Sequence, residues 1–194
     1  DLSNYANPVV LGAVYITGYS WYSYPMNEYD TLLVAVGEDA DDDVNTLGLS
    51  ITVFDVRDPA KPFAIQRYSI EDDPDTYSNS QSQWDFKALR YIREVDRLIM
   101  PVSIYSYEQP EMNFEGAMVF VVNADTIYED CRIPDRNYQD VCFYCASLPR
   151  RSLVFDGNLT TVYSHFVTST NIDTCRTVWS LDIEIENDDG RCCN

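Results

Sequence analysis

Short stretches rich in β-branched and aromatic residues recur along this chain with turn residues between them, and no segment sustains a helical period. That pattern predicts an all-β fold, with strands over residues 9–16, 31–36, 49–55, 87–92, 97–104, 117–123, 152–155, 160–167 and 177–186. In the last of these Trp179, Leu181, Ile183 and Ile185 alternate with Ser180, Asp182, Glu184 and Glu186, the period of a strand with one wet side. Met118-Val119-Phe120-Val121-Val122 is apolar on both faces, so it is expected at the centre of a sheet with neighbours on either side. Residues 75–84, rich in Ser, Asn and Gln, read as a loop. The strands fall into groups at 31–70, 85–133 and 150–186. A recurrence of about 40–50 residues suits the blades of a propeller better than a sandwich, whose turns come every 8–12 residues or so without higher grouping.

Charge removes several partners. The 194 residues carry 13 basic and 32 acidic side chains, a formal net charge of -19, which repels a nucleic-acid backbone and an anionic bilayer alike. A hydrophobic content of 45% argues for a packed core. No apolar stretch approaches the roughly 20 residues that a membrane-spanning helix needs. The first residues, Asp1-Leu2-Ser3-Asn4, have neither an initiator Met nor the charged-then-apolar pattern of a leader, so the chain is expected to be a processed product or a piece of something longer.

Cys131, Cys142, Cys145, Cys175, Cys192 and Cys193 all lie in the last third among polar and turn residues. Cysteines so placed are expected to form disulfides pinning loops in an oxidising compartment, with about fifteen pairings open to six of them. The rival reading is zinc, because Cys142-Phe-Tyr-Cys145 has a knuckle's spacing, but no second knuckle accompanies it and His165 is the sole histidine. Asn158-Leu159-Thr160 follows the turn-forming Asp156-Gly157 and is an N-glycosylation acceptor, which fits a secreted glycoprotein.

The knot Asp39-Ala40-Asp41-Asp42-Asp43 has two readings. Asp39, Asp41, Asp43 and Asn45 recur at alternate positions, as in loops that wrap calcium with side-chain oxygens, yet the mid-loop glycine and distant glutamate of an EF-hand are missing. The alternative is a solvated turn in which Asp and Asn bond their own backbone. Calcium is thus the one cofactor the sequence suggests. Catalysis has little to build on: a Ser-His-acid set would need His165, whose neighbour Ser164 points to the opposite face of a strand. Carboxylate pairs arise by chance among 32 acids, and no glycine loop cradles a phosphate. Tyr15, Tyr19, Trp21, Tyr22 and Tyr24 read as blade packing or an interface, with a glycan-stacking surface as the alternative.

In order along the chain stand Leu32-Leu33-Val34-Ala35-Val36-Gly37-Glu38-Asp39-Ala40-Asp41, Leu49-Ser50-Ile51-Thr52-Val53-Phe54-Asp55-Val56 with Asp58-Pro59 and Lys61-Pro62, and Trp84-Asp85-Phe86-Lys87-Ala88-Leu89. Arg97-Leu98-Ile99-Met100-Pro101-Val102-Ser103, Gly116-Ala117-Met118-Val119-Phe120, and Arg151-Ser152-Leu153 with Leu159-Thr160-Thr161-Val162-Tyr163 follow. This series resembles the secreted proteins with a C-terminal β-propeller distantly related to WD repeats. The resemblance spans most of residues 8–186, and it departs at Phe86, where that family often has His, and in the cysteine-rich segments. It implies a propeller of antiparallel blades, with Phe54-Asp55-Val56-Arg57-Asp58-Pro59 closing a blade and the acid knot as a variable hairpin. It implies no catalytic activity.

The domain is therefore expected to span residues 1–186, with a Cys-rich tail at 187–194. A closed propeller needs at least about four blades, whereas the groups here number about three. Either a longer polypeptide or another copy completes the sheets, and an open β edge that pairs head to tail without closing makes a filament. The expected function is a non-catalytic extracellular subunit that self-assembles into a fibre or coat. The alternative is a carbohydrate-binding propeller or hydrolase with its site at the central channel and glycans as partners.

Overall fold

A computed structural model of the chain describes residues 1–70, 75–135, 151–163 and 166–183. These residues form thirteen strands in three antiparallel sheets. The first sheet runs in order β1 (Tyr19–Pro25), β2 (Leu32–Ala40), β3 (Thr46–Asp55) and β4 (Phe63–Ser69). The second runs β5 (Thr76–Asn79), β7 (Arg97–Ser106), β8 (Phe114–Val122) and β9 (Ile127–Pro134), with the short β6 (Arg90–Ile92) beside the start of β7. The third runs β10 (Arg151–Phe155), β11 (Asn158–Val162), β12 (Phe166–Asn171) and β13 (Arg176–Asp182). The first and third sheets are consecutive meanders, and the second is one apart from β6, which shares an edge of β7 with β5; this is the topology of a propeller blade.

Alternation decides which face of each sheet is packed. In the first sheet Val34 and Val36 of β2 stand opposite Val53 and Ile51 of β3, and all four are buried. They meet Leu98, Met100, Val102, Met118 and Phe120 from one face of the second sheet. The opposite face of that sheet, through Ile99, Ala117, Val119 and Ile133, meets Leu159 and Ile172 around the third. The second sheet is thus covered on both sides, and every residue of β8 is buried. That is the arrangement expected of the doubly apolar Met118–Val122 run.

Among the described residues the third sheet is covered on one side only. Its packed face is largely hydroxylic, with Ser152, Thr161, Thr168 and Thr170 buried. Its outward face carries Leu153, Phe155, Trp179 and Leu181, all exposed.

Several strand boundaries differ from expectation. Residues 9–16 form no strand: the Val9 N–H donates to the Asp1 carbonyl, and no described strand pairs with the rest. The first strand is instead Tyr19–Pro25, whose Trp21, Tyr22 and Tyr24 pack against the main core. β4 and β9 are the outer strands of their sheets and mix charged with apolar residues, which hid them in the sequence. The expected loop at 75–84 holds β5 and a 3-10 turn at Gln81–Gln83, capped by Ser80. The single strand expected at 160–167 is split between β11 and β12, joined where the Tyr163 N–H donates to the Phe166 carbonyl. β13 does alternate, but with no described sheet beyond it all seven residues are exposed, so the apolar side is as wet as the polar one.

Local chemistry accounts for the tight places. At Asp156-Gly157 both residues have positive φ, 50° and 70°, giving the two-residue turn that joins β10 to β11. Gly37 lies where β1 bulges, and a Cβ there would sit 1.8 Å from the Tyr19 carbonyl oxygen, so no larger residue fits. Asp55 ends β3 by accepting from the Arg57 backbone N–H and pairing with its guanidinium, which holds the carboxyl below the usual range. The Asp-Pro-Ala-Lys-Pro step then turns into β4, with the Lys61 N–H donating to the Asp58 carbonyl.

Candidate functional site

The acid knot resolves into two separate hydrogen-bonded devices. Asp39, at the end of β2, accepts from Ser69 Oγ at 2.8 Å and forms an ion pair with Arg67. Arg67 also donates to the hydroxyl and carbonyl of Thr17, each at 2.9 Å, so Asp39 ties β4 and the segment before β1 to the β2 terminus. Asp41 turns the β2–β3 hairpin: it accepts from the Asn45 backbone N–H at 2.8 Å and from the Asn45 amide at 2.9 Å, bonds that hold its carboxyl low. Asp43 sits exposed in that turn before Val44, which has positive φ. Asp39, Asp41, Asp43 and Asn45 therefore do not point at one centre, and among the described residues no three His, Cys, Asp or Glu side chains converge as a metal site would require.

Of the six cysteines, Cys131 in β9 and Cys175 in the β12–β13 turn form a disulfide, 44 residues apart in sequence. It fastens the third sheet to the outer strand of the second. Cys142, Cys145, Cys192 and Cys193 lie outside the described residues, as does His165. Asn158 opens β11 just past the Asp156-Gly157 turn, with its amide donating to the Asp156 carbonyl at 3.0 Å. It is partly exposed at the tip of a hairpin, where a sugar has room.

Sequence reasoning missed a buried acidic pair. Glu115, at the start of β8, and Asp135, just after β9, are both buried, and the Asp135 N–H donates to the Glu115 carbonyl at 2.8 Å. Burial, with the Asp135 charge second, pushes the Glu115 carboxyl up to about 7. The Tyr163 ring stacks on Phe166 nearby and its hydroxyl donates to the Ile133 carbonyl at 3.2 Å. Burial, together with the Asp135 charge, raises the Tyr163 hydroxyl. The sequence signal was weak, because the two acids are 20 positions apart and only strand register brings them together.

Two surfaces remain for recognition. On the second sheet, Tyr77 and Tyr105 are cross-strand partners, and both rings stand edge-on to Tyr107, with centroids 6.5 and 4.6 Å away; Tyr77 and Tyr107 are exposed. The other surface is the outward face of the third sheet. The tyrosine-rich stretch from Tyr15 to Tyr24 divides: Tyr22 and Tyr24 pack inward, and Tyr15 is 94% exposed.

The described residues form three antiparallel sheets, two of four strands and one of five, packed face to face. The family profile described as a beta propeller domain matches residues 1–175. The chain belongs to the beta propeller domain family. Most of the match falls on the three sheets, and it also takes in residues 1–18 ahead of β1. A comparison with curated proteins finds no match. Among solved structures, the AfRom2 CNH domain is similar at 13% identity over 91% of this chain and 77% of that one, with a TM-score of 0.23, a likeness too slight to carry an argument. Membership of the propeller family makes the stacked sheets blades. No described helix is long and apolar enough to cross a membrane.

Proposed function

We propose that this propeller domain is a non-catalytic structural or adhesive subunit of the extracellular space that assembles with like subunits into a fibre or coat. The observation that carries the reading is the outward face of the third blade. Leu153, Phe155, Trp179 and Leu181 are exposed there, while the equivalent faces between the first and second blades and between the second and third are packed. An apolar sheet face left open is a surface for a partner. The Cys131–Cys175 disulfide and the hairpin-tip position of Asn158 support secretion. Calcium enters this reading only as a bridge between acidic surfaces of neighbouring copies, because Asp39 already has Arg67 as its counter-ion. Light scattering across a concentration series tests the assembly: growth in mass with concentration is expected, and a monomer throughout would overturn it.

One observation favours a second reading. The exposed Tyr77 and Tyr107 with Tyr105 make an aromatic platform of the kind on which sugar rings stack. A carbohydrate-binding propeller would give saturable glycan-array signals that Tyr107→Ala removes. Absence of any signal would leave the assembly reading alone.

A further inference from the structure

The face of the second sheet that is turned to the third carries a polar row. Register sets Asn79 of β5 beside Ser103 of β7 and Ser103 beside Glu115 of β8, with Asp135 next to Glu115 just past the end of β9. Exposure falls along the row: Asn79 is exposed, Ser103 half-buried, and Glu115 and Asp135 are 9% and 3% exposed. It is thus covered at its β9 end and open at its β5 end. One row further along the same strands, on the same face, stand Tyr77 and Tyr105, with Tyr107 edge-on to both. At about 3.4 Å per residue the aromatic row lies about 7 Å from the polar one, a step that one pyranose ring with its hydroxyls spans.

Glu115 is the group in this row without a partner. Among the described residues no hydrogen bond or ion pair reaches its carboxyl, which has only the Asp135 charge and Tyr163 close by. Leaving a buried polar group unmatched is costly unless something binds it. Across the seam Thr161 lies between Leu159 and Tyr163 on the face of β11 turned to the second sheet, and its hydroxyl is likewise buried without a partner. Unsatisfied hydrogen-bonding groups therefore stand at the closed end and an exposed aromatic surface at the open one. The chemistry that fits both is a ring with apolar faces and hydroxyls on its rim. Charge narrows the class further, because two carboxyls at the closed end and -19 over the chain repel uronates and sulfated sugars. We propose that the seam between the second and third blades binds an uncharged sugar residue, its face against the tyrosines and its hydroxyls on Asn79, Ser103 and Glu115. The proposal rests on the carbohydrate reading above and gives it a place in the fold.

The test presents the full chain, disulfide intact, to an array of oligosaccharides ending in glucose, galactose or mannose and to the same oligosaccharides ending in the matching uronic acids. Binding to the uncharged series and none to its uronate counterpart is expected; equal binding to both would overturn the site. The tightest uncharged oligosaccharide is then titrated against Tyr77→Ala, Asn79→Ala and Glu115→Gln, with Tyr29→Ala as an exposed control. Each of the three should weaken binding by about fivefold or more and the control should not. Asn79 is exposed, so its variant reads the contact without disturbing the core. Amide exchange needs no variant: the same oligosaccharide should protect residues 77–79, 103–107 and 114–116. Protection confined to other segments, or binding that keeps parent strength in both Asn79→Ala and Glu115→Gln, would overturn the site and leave the carbohydrate reading standing. No binding of any sugar by the parent chain overturns both.

Discussion

Glu115 is where a single residue sets a pH response. Its carboxyl is raised to about 7 by burial, with the Asp135 charge as a second cause, whereas in the unfolded chain it titrates near 4.5. Between those values the folded state holds a proton that the unfolded state has lost, so this residue makes stability fall as pH rises from about 4.5 to about 7, the reverse of a salt-bridged carboxylate. Glu115→Gln keeps the neutral shape. Urea midpoints measured across that range should decline for the parent and flatten for the variant; parallel curves would contradict the burial of this carboxyl. Asp39 makes the opposite case, a carboxylate stabilised by partners. Asp39→Ala removes the counter-ion of Arg67 and the acceptor of the Ser69 hydroxyl, and should cost about 1–3 kcal/mol in chemical unfolding. Because those oxygens are already engaged, millimolar calcium should leave the melting temperature of the monomer unchanged. An upward shift abolished by Asp39→Asn would restore the cation reading of the acid knot.

At the scale of elements, the third sheet is the least secure. Its packed face is rich in hydroxyls, its outward face is wet, and the Cys131–Cys175 bond holds it to β9. Cross-linking over 44 residues restricts the unfolded chain by an amount worth about 2–4 kcal/mol. Cys131→Ser with Cys175→Ser should therefore raise amide exchange in β10 to β13 well before β7 and β8 are affected; uniform protection in both forms would show that packing alone holds the sheet. What could be read beforehand follows the same physics. β8 was legible because a strand covered on both faces must be apolar on both. β4 and β9 were not, since an outer strand needs only partial apolar character, and neither was the break between β11 and β12 after Tyr163, because apolar alternation continues in the sequence past it. Residues 9–16 have the local chemistry of a strand, but pairing is a property of two segments, and no described strand pairs with them. The Glu115–Asp135 pair depends on register, which no single stretch encodes.

For the whole molecule, three blades stacked in chain order leave, among the described residues, the outward face of the third exposed and the strand-like residues 10–16 outside any sheet, and a propeller resolves both by adding sheet. Membership of the beta propeller domain family fixes the architecture, and the open surfaces are what give it something to do. Asn158 opens β11 at the hairpin end, and register carries it to the same face of the third sheet as Phe155, Thr160 and Trp179. Native-source protein should carry a sugar there, and association through that face should strengthen when the sugar is removed. The most direct measurement is the mass distribution of the disulfide-intact chain by sedimentation velocity, from about micromolar to several hundred micromolar. Association through open blades predicts a series of species growing with concentration and retained in chelator. A single monomer boundary at every concentration, with or without calcium, would contradict it.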